Sequence, residues 1–446
     1  MRTTGKRSVV LYILLLACAA GMIWLLFSFL MNGKTWASQP YNLHFSAAEL
    51  GEITDRDGAV LAATEEDVRK YNENEEVRRA LLHTVGDNGG YITSSVQNTM
   101  RAKLSGYNPL TGAGHTVFNQ LGKNLELTVD ADVCVAAYNA MGGRRGAVLV
   151  YDYENGDILC KVSAPNFDPG AMPEDLLTND GYRGVLVDNT LASSYTPGSI
   201  FKLVTQAAAM DQFANWDTRE YSCEGAVEIG GSTITCLGVH GTQTAGTAFG
   251  NSCNVYYALL AVDIGAANLQ TKAEAFGFNR SLNFDGVECR SSSIDLSSAD
   301  ANQLGWSGVG QYTLLANPYH MMTLMGAIAN EGSYTAPRLT RSLSISDSIG
   351  SGDRKYMEPE QAKAIGDMMR YNVSTFYGDG MFPEGMEVCA KTGTAEVGEG
   401  IAPNCWMVGF SRHSAYPYAF VVVVEEGEGG ISTAGSIASQ VMNALL

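Results

Sequence analysis

From Ser8 to Met31 the chain carries no charged residue, and most positions are Leu, Ile, Val, Ala, Phe or Met. At a helical rise this run crosses the roughly 30 Å hydrocarbon core of a bilayer. Arg2, Lys6 and Arg7 precede it and only Lys34 follows closely. That asymmetry predicts a cytoplasmic N-terminus, with everything past about residue 32 outside. A signal-peptidase site at Ala17-Cys18-Ala19 or a lipoprotein box ending at Cys18 competes with this reading. The apolar run continues well past Cys18, however, where a cleavable peptide would have ended, so an uncleaved anchor is expected.

Beyond the anchor the pattern changes twice. Residues 32–123 are mixed and strand-poor. Glu52 to Ala62 reads as two short strands around an Asp57-Gly58 turn, and a charged helix-like segment follows near Glu65 to Leu82. At about Asn124 a more regular pattern begins. Leu125 to Asp130 alternates as a strand, and Ala131 to Met141 has helical apolar spacing. Gly146 to Tyr153 and Ile158 to Val162 flank an Asn155-Gly156 turn, which predicts a hairpin. Near the other end Val388–Glu396, Asn404–Ser411 and Tyr418–Glu425 are strand-like, and 435–446 is helical. Mostly helical patterns lie between, including Phe201–Met210 and Pro318–Asn330. The expected fold is α+β: a mostly antiparallel sheet assembled from both chain ends and flanked by helices. The expected domains are a short tail and anchor (1–31), a small N-terminal domain (32–123) and a larger domain (124–446).

The 446 residues carry 29 Lys plus Arg against 47 Asp plus Glu, a formal net charge of -18. No basic excess exists to grip phosphates, so nucleic acid is not an expected partner. Eight of the nine cysteines lie past the anchor: Cys134, Cys160, Cys223, Cys236, Cys253, Cys289, Cys389 and Cys405. None forms a C-x-x-C pair, and the six histidines make no H-E-x-x-H, so neither a metal site nor a cofactor is expected. Cys223 and Cys236 flank a short Gly-containing stretch and are the expected disulfide pair in a compartment that permits one. Buried free thiols are the alternative.

Three short strings carry candidate chemistry. In Tyr195-Thr196-Pro197-Gly198-Ser199-Ile200-Phe201-Lys202 a helix is expected to start at about Ser199, with Lys202 on the same face. The apolar neighbours predict a buried helix, and burial disfavours the ammonium form, so Lys202 can accept a proton near neutrality. Free N–H groups of the helix start sit where an oxyanion would form. A helix cap and a snorkelling Lys are the bland alternative. Ser199 is nonetheless the only Ser followed by Lys three residues later. Ser252-Cys253-Asn254 can simply cap an apolar helix. Lys391-Thr392-Gly393-Thr394 lies in a predicted strand, where Gly393 permits close approach and Lys391 can be an ordinary edge-strand lysine.

Together, S-x-x-K, S-x-N and K-T-G in this order are the motif set of β-lactamases and penicillin-binding proteins. The chain resembles a monofunctional, class B penicillin-binding protein. Further family-like stretches are Leu125 to Asp130, the Gly146 hairpin, Ser163 to Pro169, Asp188-Asn189, Cys223…Cys236…His240-Gly241 and Gly308-Val309-Gly310-Gln311. The similarity covers about 124–446, and Glu52 to Ala62 resembles the first strand pair of the family's N-terminal pedestal. The resemblance implies the penicillin-binding transpeptidase fold and a D,D-transpeptidase that cross-links peptidoglycan stem peptides and is acylated by β-lactams. Ser199 would be the nucleophile, Lys202 its proton acceptor and Ser252 the proton carrier to the leaving amine, with Asn254 orienting Lys202. Catalytic Lys391 and substrate-binding Thr392 would supply positive potential and hydrogen bonds to the substrate carboxylate, with Thr394 beside them and Gly393 in the same substrate-binding strand, and backbone N–H groups of Ser199 and Thr394 would form the oxyanion hole. The implied partners are the cytoplasmic membrane and a lipid-linked glycan polymerase of the division or elongation machinery. The alternatives are a D,D-carboxypeptidase, a serine β-lactamase, and a non-catalytic scaffold or β-lactam receptor. No Glu-x-x-Leu-Asn element for a deacylating water stands between the second and third motifs, and both Ser199 and Lys202 are present.

Overall fold

A computed structural model describes residues 2–37, 50–106, 123–340 and 354–446. Helix α1 (Arg2–Ala37) contains the apolar run, and its segment Leu11–Met31 is long and apolar enough to cross a membrane. Those 21 residues span about 31 Å at helical rise. Leu11, Leu15, Leu16, Ile23 and Leu25 are exposed along it. A helix that is apolar on all sides, with nothing among the described residues packed on its Leu11–Met31 segment, suits lipid rather than water.

The expected strands around Asp57-Gly58 are present: β1 (Ile53–Thr54) pairs antiparallel with β2 (Val60–Glu65). The helix expected across Glu65 to Leu82 is not. Glu66 and Asp67 take left-handed φ values of 48° and 63°, forming a two-residue hairpin turn into β3 (Val68–Tyr71). Only Glu75–Ala80 then forms a helix, α2, capped by the Asn74 side chain. Of the predicted strand Leu125 to Asp130, only β4 (Leu125–Glu126) pairs in the sheet, parallel to β1. Beyond it Leu127 and Thr128 pair with Thr340 and Leu339 instead, and the Asp130 carboxylate then accepts the N–H groups of Asp132 and Val133 and starts helix α3 (Ala131–Met141).

The large sheet is built from both chain ends, as the pattern predicts. Strands β5 (Gly146–Asp152) and β6 (Ile158–Ala164) pair as the expected hairpin. Next come α4 (Lys202–Gln212), the short strands β7 (Tyr221–Cys223), β8 (Ala226–Ile229), β9 (Ser232–Thr235) and β10 (Gly241–Gln243), and α5 (Ala245–Gly250). Helices α6 (Asn254–Ile264), α7 (Ala301–Val309), α8 (Pro318–Ala329) and α9 (Pro359–Asn372) follow. The chain then returns as β11 (Val388–Ala395), β12 (Asn404–Ser411), β13 (Tyr418–Val424) and helix α10 (Ser436–Ala444). The strand order is β11-β12-β13-β5-β6, antiparallel throughout. Helices α3 and α10 pack together with contacts to β6 and β13, while α8 lies along β12, β13 and β5 and α9 along β11. With cover on both sides every residue of β12 is buried, which explains why it reads as an almost continuous apolar run. β11 is left at the edge.

Two ion pairs fix the approach to the first motif. Arg78 of α2 makes a two-pronged contact with Asp168, both N···O distances being 2.7 Å. Lys161 of β6 meets Asp188 at 2.6 Å with both side chains buried. Burial pushes the Asp188 carboxyl upward, but Lys161 and then His83 outweigh it and hold the group below the usual carboxylate range. Asp188 also accepts hydrogen bonds from Ser94 and Thr190, tying three segments together. Asp188→Ala strands the Lys161 ammonium in the interior and is expected to cost about 3–5 kcal/mol. Urea unfolding of the detergent-purified full chain measures it. A loss below about 1 kcal/mol would mean that Lys161 finds water or another partner.

Candidate active site

Ser199 lies in a tight 3₁₀ turn, Gly198–Phe201, that runs directly into α4, so Lys202 is the first residue of the α-helix. Ser199 is half-buried and Lys202 fully buried. Ser199 sits among the first residues of the helical run, where N–H groups have no intrahelical acceptor. Neighbouring backbone holds this turn from two sides. The Gly198 N–H donates to Gly310 O at 2.9 Å. Gly310 has φ 96°, and a Cβ there would stand 1.9 Å from Gly198 O, so only glycine serves. On the other side a Cβ on Gly393 would meet Pro197 O at 2.6 Å, which lets β11 lie directly against the turn. Trp406 of β12 secures the contact by donating its Nε1–H to Thr196 O at 2.9 Å.

The second motif occupies the bend between α5 and α6. Ser252 adopts φ 51°, a left-handed conformation that costs a β-carbon residue roughly 1 kcal/mol or more. This bend presents Ser252 Oγ to two lysines at once: Lys202 Nζ at 3.2 Å and Lys391 Nζ at 3.0 Å. Lys202 Nζ also donates to Ser252 O at 2.6 Å and Asn254 Oδ1 at 2.8 Å. The Asn254 side chain is fixed in turn by donating to Thr235 O at 3.1 Å.

Burial pushes the Lys202 amine well below its usual value, and the charge of nearby Lys391 adds to the effect. Burial lowers Lys391 to about 7. A neutral amine has two N–H donors and one lone pair. The two short Lys202 contacts use both donors, leaving the lone pair to take a proton from a hydroxyl. Lys391 donates to Thr392 O and Ser252 Oγ, both at 3.0 Å, so as an ammonium it keeps one N–H for a ligand. An arriving carboxylate would favour that charged form.

Along β11 the alternation splits the third motif. Lys391 and Gly393 face the nucleophile turn. The Thr392 hydroxyl is 2.8 Å from Tyr377 Oη, which also accepts the Thr392 N–H at 2.9 Å. Thr394 is exposed, and its Oγ1 accepts the Gly430 N–H at 3.1 Å. The structure thus brings Lys202, Ser252, Asn254 and Lys391 into one hydrogen-bonded group beside the Ser199 turn. Tyr377 and Gly430 are additions that no sequence pattern signals, because they reach β11 from distant turns. β11 is the edge strand at the site, and side chains occupy its outward backbone as far as Thr392: Arg370 donates to Val388 O, Asn372 to Ala390 O and Lys391 to Thr392 O.

All nine cysteines are free thiols, so the expected Cys223–Cys236 disulfide is not formed. Both sulfurs turn instead toward His240 Nδ1, each at 3.5 Å. Cys253 joins them directly behind Ser252, and the four ligand-type atoms lie within 4.8 Å of one another.

This geometry has counterparts in known proteins. The family model of the penicillin binding protein transpeptidase domain matches residues 146–445. The peptidoglycan D,D-transpeptidase PbpA of Mycolicibacterium smegmatis is 28% identical over 359 residues, covering 73% of this chain and 72% of that protein. Stage V sporulation protein D of Bacillus subtilis is 24% identical over 349 residues, 73% of this chain and 53% of that one. Among solved structures, the D,D-transpeptidase domain of a peptidoglycan glycosyltransferase from Eggerthella lenta superposes with a TM-score of 0.72 at 26% identity, covering 90% of this chain and 98% of that one. The ceftriaxone acyl-enzyme complex of penicillin-binding protein A from Mycobacterium tuberculosis shares the fold, with a TM-score of 0.77 at 23% identity over 90% and 99% of the two chains.

Proposed function

The chain belongs to the penicillin-binding protein transpeptidase family, and from that membership we propose that it is a peptidoglycan D,D-transpeptidase acting through a serine acyl-enzyme. One observation carries the assignment of roles. Ser252 Oγ bridges two dehydrated lysine amines, and the strand bearing one of them lies against the Ser199 turn.

The steps follow from proton and electron-pair accounting. A stem peptide lies along the edge of β11, with its terminal carboxylate on Lys391 and the exposed Thr394. Ser199 Oγ attacks the carbonyl of the penultimate D-alanine while its proton passes to the Lys202 lone pair. The Ser199 and Thr394 N–H groups stabilise the resulting oxyanion, each donor contributing about 3 kcal/mol. As the C–N bond breaks, the proton returns through Ser252 Oγ to the departing D-alanine nitrogen. The amine of a neighbouring stem peptide then attacks the ester, and the same relay runs in reverse to restore Ser199 and release the cross-link. A β-lactam enters as the D-Ala-D-Ala end does, but its leaving nitrogen stays tethered to the acyl group.

The anchor helix makes this a membrane-attached protein. The basic residues Arg2, Lys6 and Arg7 support a single pass with the catalytic domain outside. Residues 32–123 then serve as a pedestal, 124–446 as the transpeptidase domain, and a lipid-linked glycan polymerase supplies the strands to be joined. Mass spectrometry of muropeptides from cells with and without the chain tests the reaction. Cross-linked dimers should fall when the protein is depleted. Unchanged dimers with accumulating pentapeptides would assign trimming of terminal D-alanine instead.

A further inference from the structure

The turn Val373–Tyr377 continues directly from α9 and touches both the second and the third motif. Phe376 packs on the second, since a Cβ on Gly250 would stand 2.0 Å from its ring. Tyr377 holds the third: its Oη accepts the Thr392 N–H at 2.9 Å and stands 2.8 Å from Thr392 Oγ1. Just before this turn, Arg370 and Asn372 donate to Val388 O and Ala390 O. In an antiparallel ladder the outward groups recur at every second residue. One continuous segment therefore meets the outward backbone of β11 from its start to Thr392, and Thr394 is the next position to face outward.

Where two hydrogens point follows from counting donors. Thr392 and Thr394 lie two apart on a strand, so their side chains share one face. Thr394 Oγ1 accepts the Gly430 N–H at 3.1 Å. A hydroxyl has a single hydrogen, and with its oxygen engaged by Gly430 that of Thr394 is left to point at a ligand. Tyr377 stands in the same relation to Thr392. Its oxygen already accepts the Thr392 N–H, and its own hydrogen is within reach of Thr392 Oγ1. Burial pushes the phenol above its usual value, so it keeps that hydrogen at neutral pH. Between the two hydroxyls alone, either can donate. A carboxylate only accepts, so beside one Thr392 must give its hydrogen to the ligand and take that of Tyr377.

We propose that Tyr377 is a positioning residue that turns the Thr392 hydroxyl into a donor toward the terminal carboxylate of the ligand, as the Gly430 N–H does for Thr394. This rests on the transpeptidase reading above, in which that carboxylate lies at Lys391 and Thr394, and it adds the phenol behind Thr392. Two oriented hydroxyls on one face give each oxygen of a free carboxylate a donor, while the Lys391 amine supplies charge. An amide at the chain end has only one oxygen to offer and brings hydrogens of its own. Tyr377 therefore helps to select a free C-terminus. It does so in the binding step, before any bond is made, because it touches neither the nucleophile nor the proton path.

The test uses the full-length chain in detergent. Binding is read first without chemistry, in Ser199→Ala protein, by ligand-observed NMR. The probes are a peptide ending in D-Ala-D-Ala and the same peptide amidated at its C-terminus. Adding Tyr377→Phe should weaken the free acid about tenfold, the scale of one hydrogen bond to a charged group, and the amide by less than about twofold. Thr392→Val should show the same loss, and Tyr377→Phe on top of it should add almost nothing. With Ser199 in place, stopped-flow acylation by penicillin should show the Tyr377→Phe loss in the half-saturating concentration. Should Tyr377→Phe fail to fold, Tyr377→Met replaces it, since methionine fills such a gap without a hydroxyl. Equal losses for acid and amide would mean that Tyr377 only supports the strand, and would overturn the proposal. So would an unchanged affinity for the acid, losses that add in the double variant, or a loss confined to the limiting acylation rate. The two readings fail separately. A wild type that forms no ester but shows the acid-selective loss refutes the reaction and not the role of Tyr377. An ester-forming wild type without that loss refutes only the role of Tyr377.

Discussion

Ser199→Ala is expected to abolish covalent labelling by a fluorescent penicillin while leaving the protein folded. The substitution removes one oxygen and nothing else. Ser199 is half-buried at the start of the helical run, and the turn is held by backbone contacts to Gly310 and β11, not by the hydroxyl. A change of this kind usually moves stability by about 0.5 kcal/mol or less. Without the nucleophile no ester can form, so intact-mass measurement should show the wild type gaining one penicillin per chain and the variant gaining none. Binding without reaction should survive, because Lys391 and Thr394, the proposed carboxylate partners, remain. If the folded variant still carries the label, the attacking group is elsewhere, with Ser252 the next hydroxyl beside a dehydrated lysine. That outcome would sink the acyl-enzyme assignment made for Ser199.

The positions of these groups were legible in the sequence to an uneven degree. The sheet was readable because β5, β6, β12 and β13 are long, strongly apolar runs, and β11 is flagged by the apolar residues on either side of its Lys391–Thr394 motif. The Ser199–Lys202 relation was readable because both lie within one turn of helix, where spacing alone sets geometry. What brings Ser252 to Lys391, 139 residues apart, is the return of the chain to the sheet edge; only the motif order pointed to it. Other features were legible only in part or not at all. The left-handed pair Glu66-Asp67 carries no Gly or Asn, so a hairpin passed for helix. The thiol and imidazole cluster spreads over Cys223, Cys236, His240 and Cys253, spacings that match no familiar ligand string. Tyr377 reaches Thr392 from a turn after α9, and a lone tyrosine in sequence announces nothing.

Replacing Lys202 separates the charge of that side chain from its basicity. Lys202→Met keeps much of the aliphatic volume in a fully buried position and removes the group proposed to accept the Ser199 proton. General-base assistance is typically worth 10²–10⁴, so acylation should slow by roughly that factor. The effect should fall on the rate constant and not on the preceding binding step, since Lys391, the proposed carboxylate partner, is untouched. The lost donor leaves Ser252 O and Asn254 Oδ1 short of a hydrogen bond, at about 1–3 kcal/mol, so the melting curve must be recorded beside the rate. Lys202→Arg sharpens the comparison. A guanidinium satisfies acceptors and carries charge, yet its pKa above about 12 leaves it no lone pair to offer. If Lys202 acts by taking a proton, arginine is as slow as methionine. If it acts only by positive potential or by orienting Ser252, arginine restores most of the rate, and the proton path from Ser199 would have to run through Ser252 to Lys391. Stopped-flow acylation of the three proteins, each confirmed folded, decides between these routes.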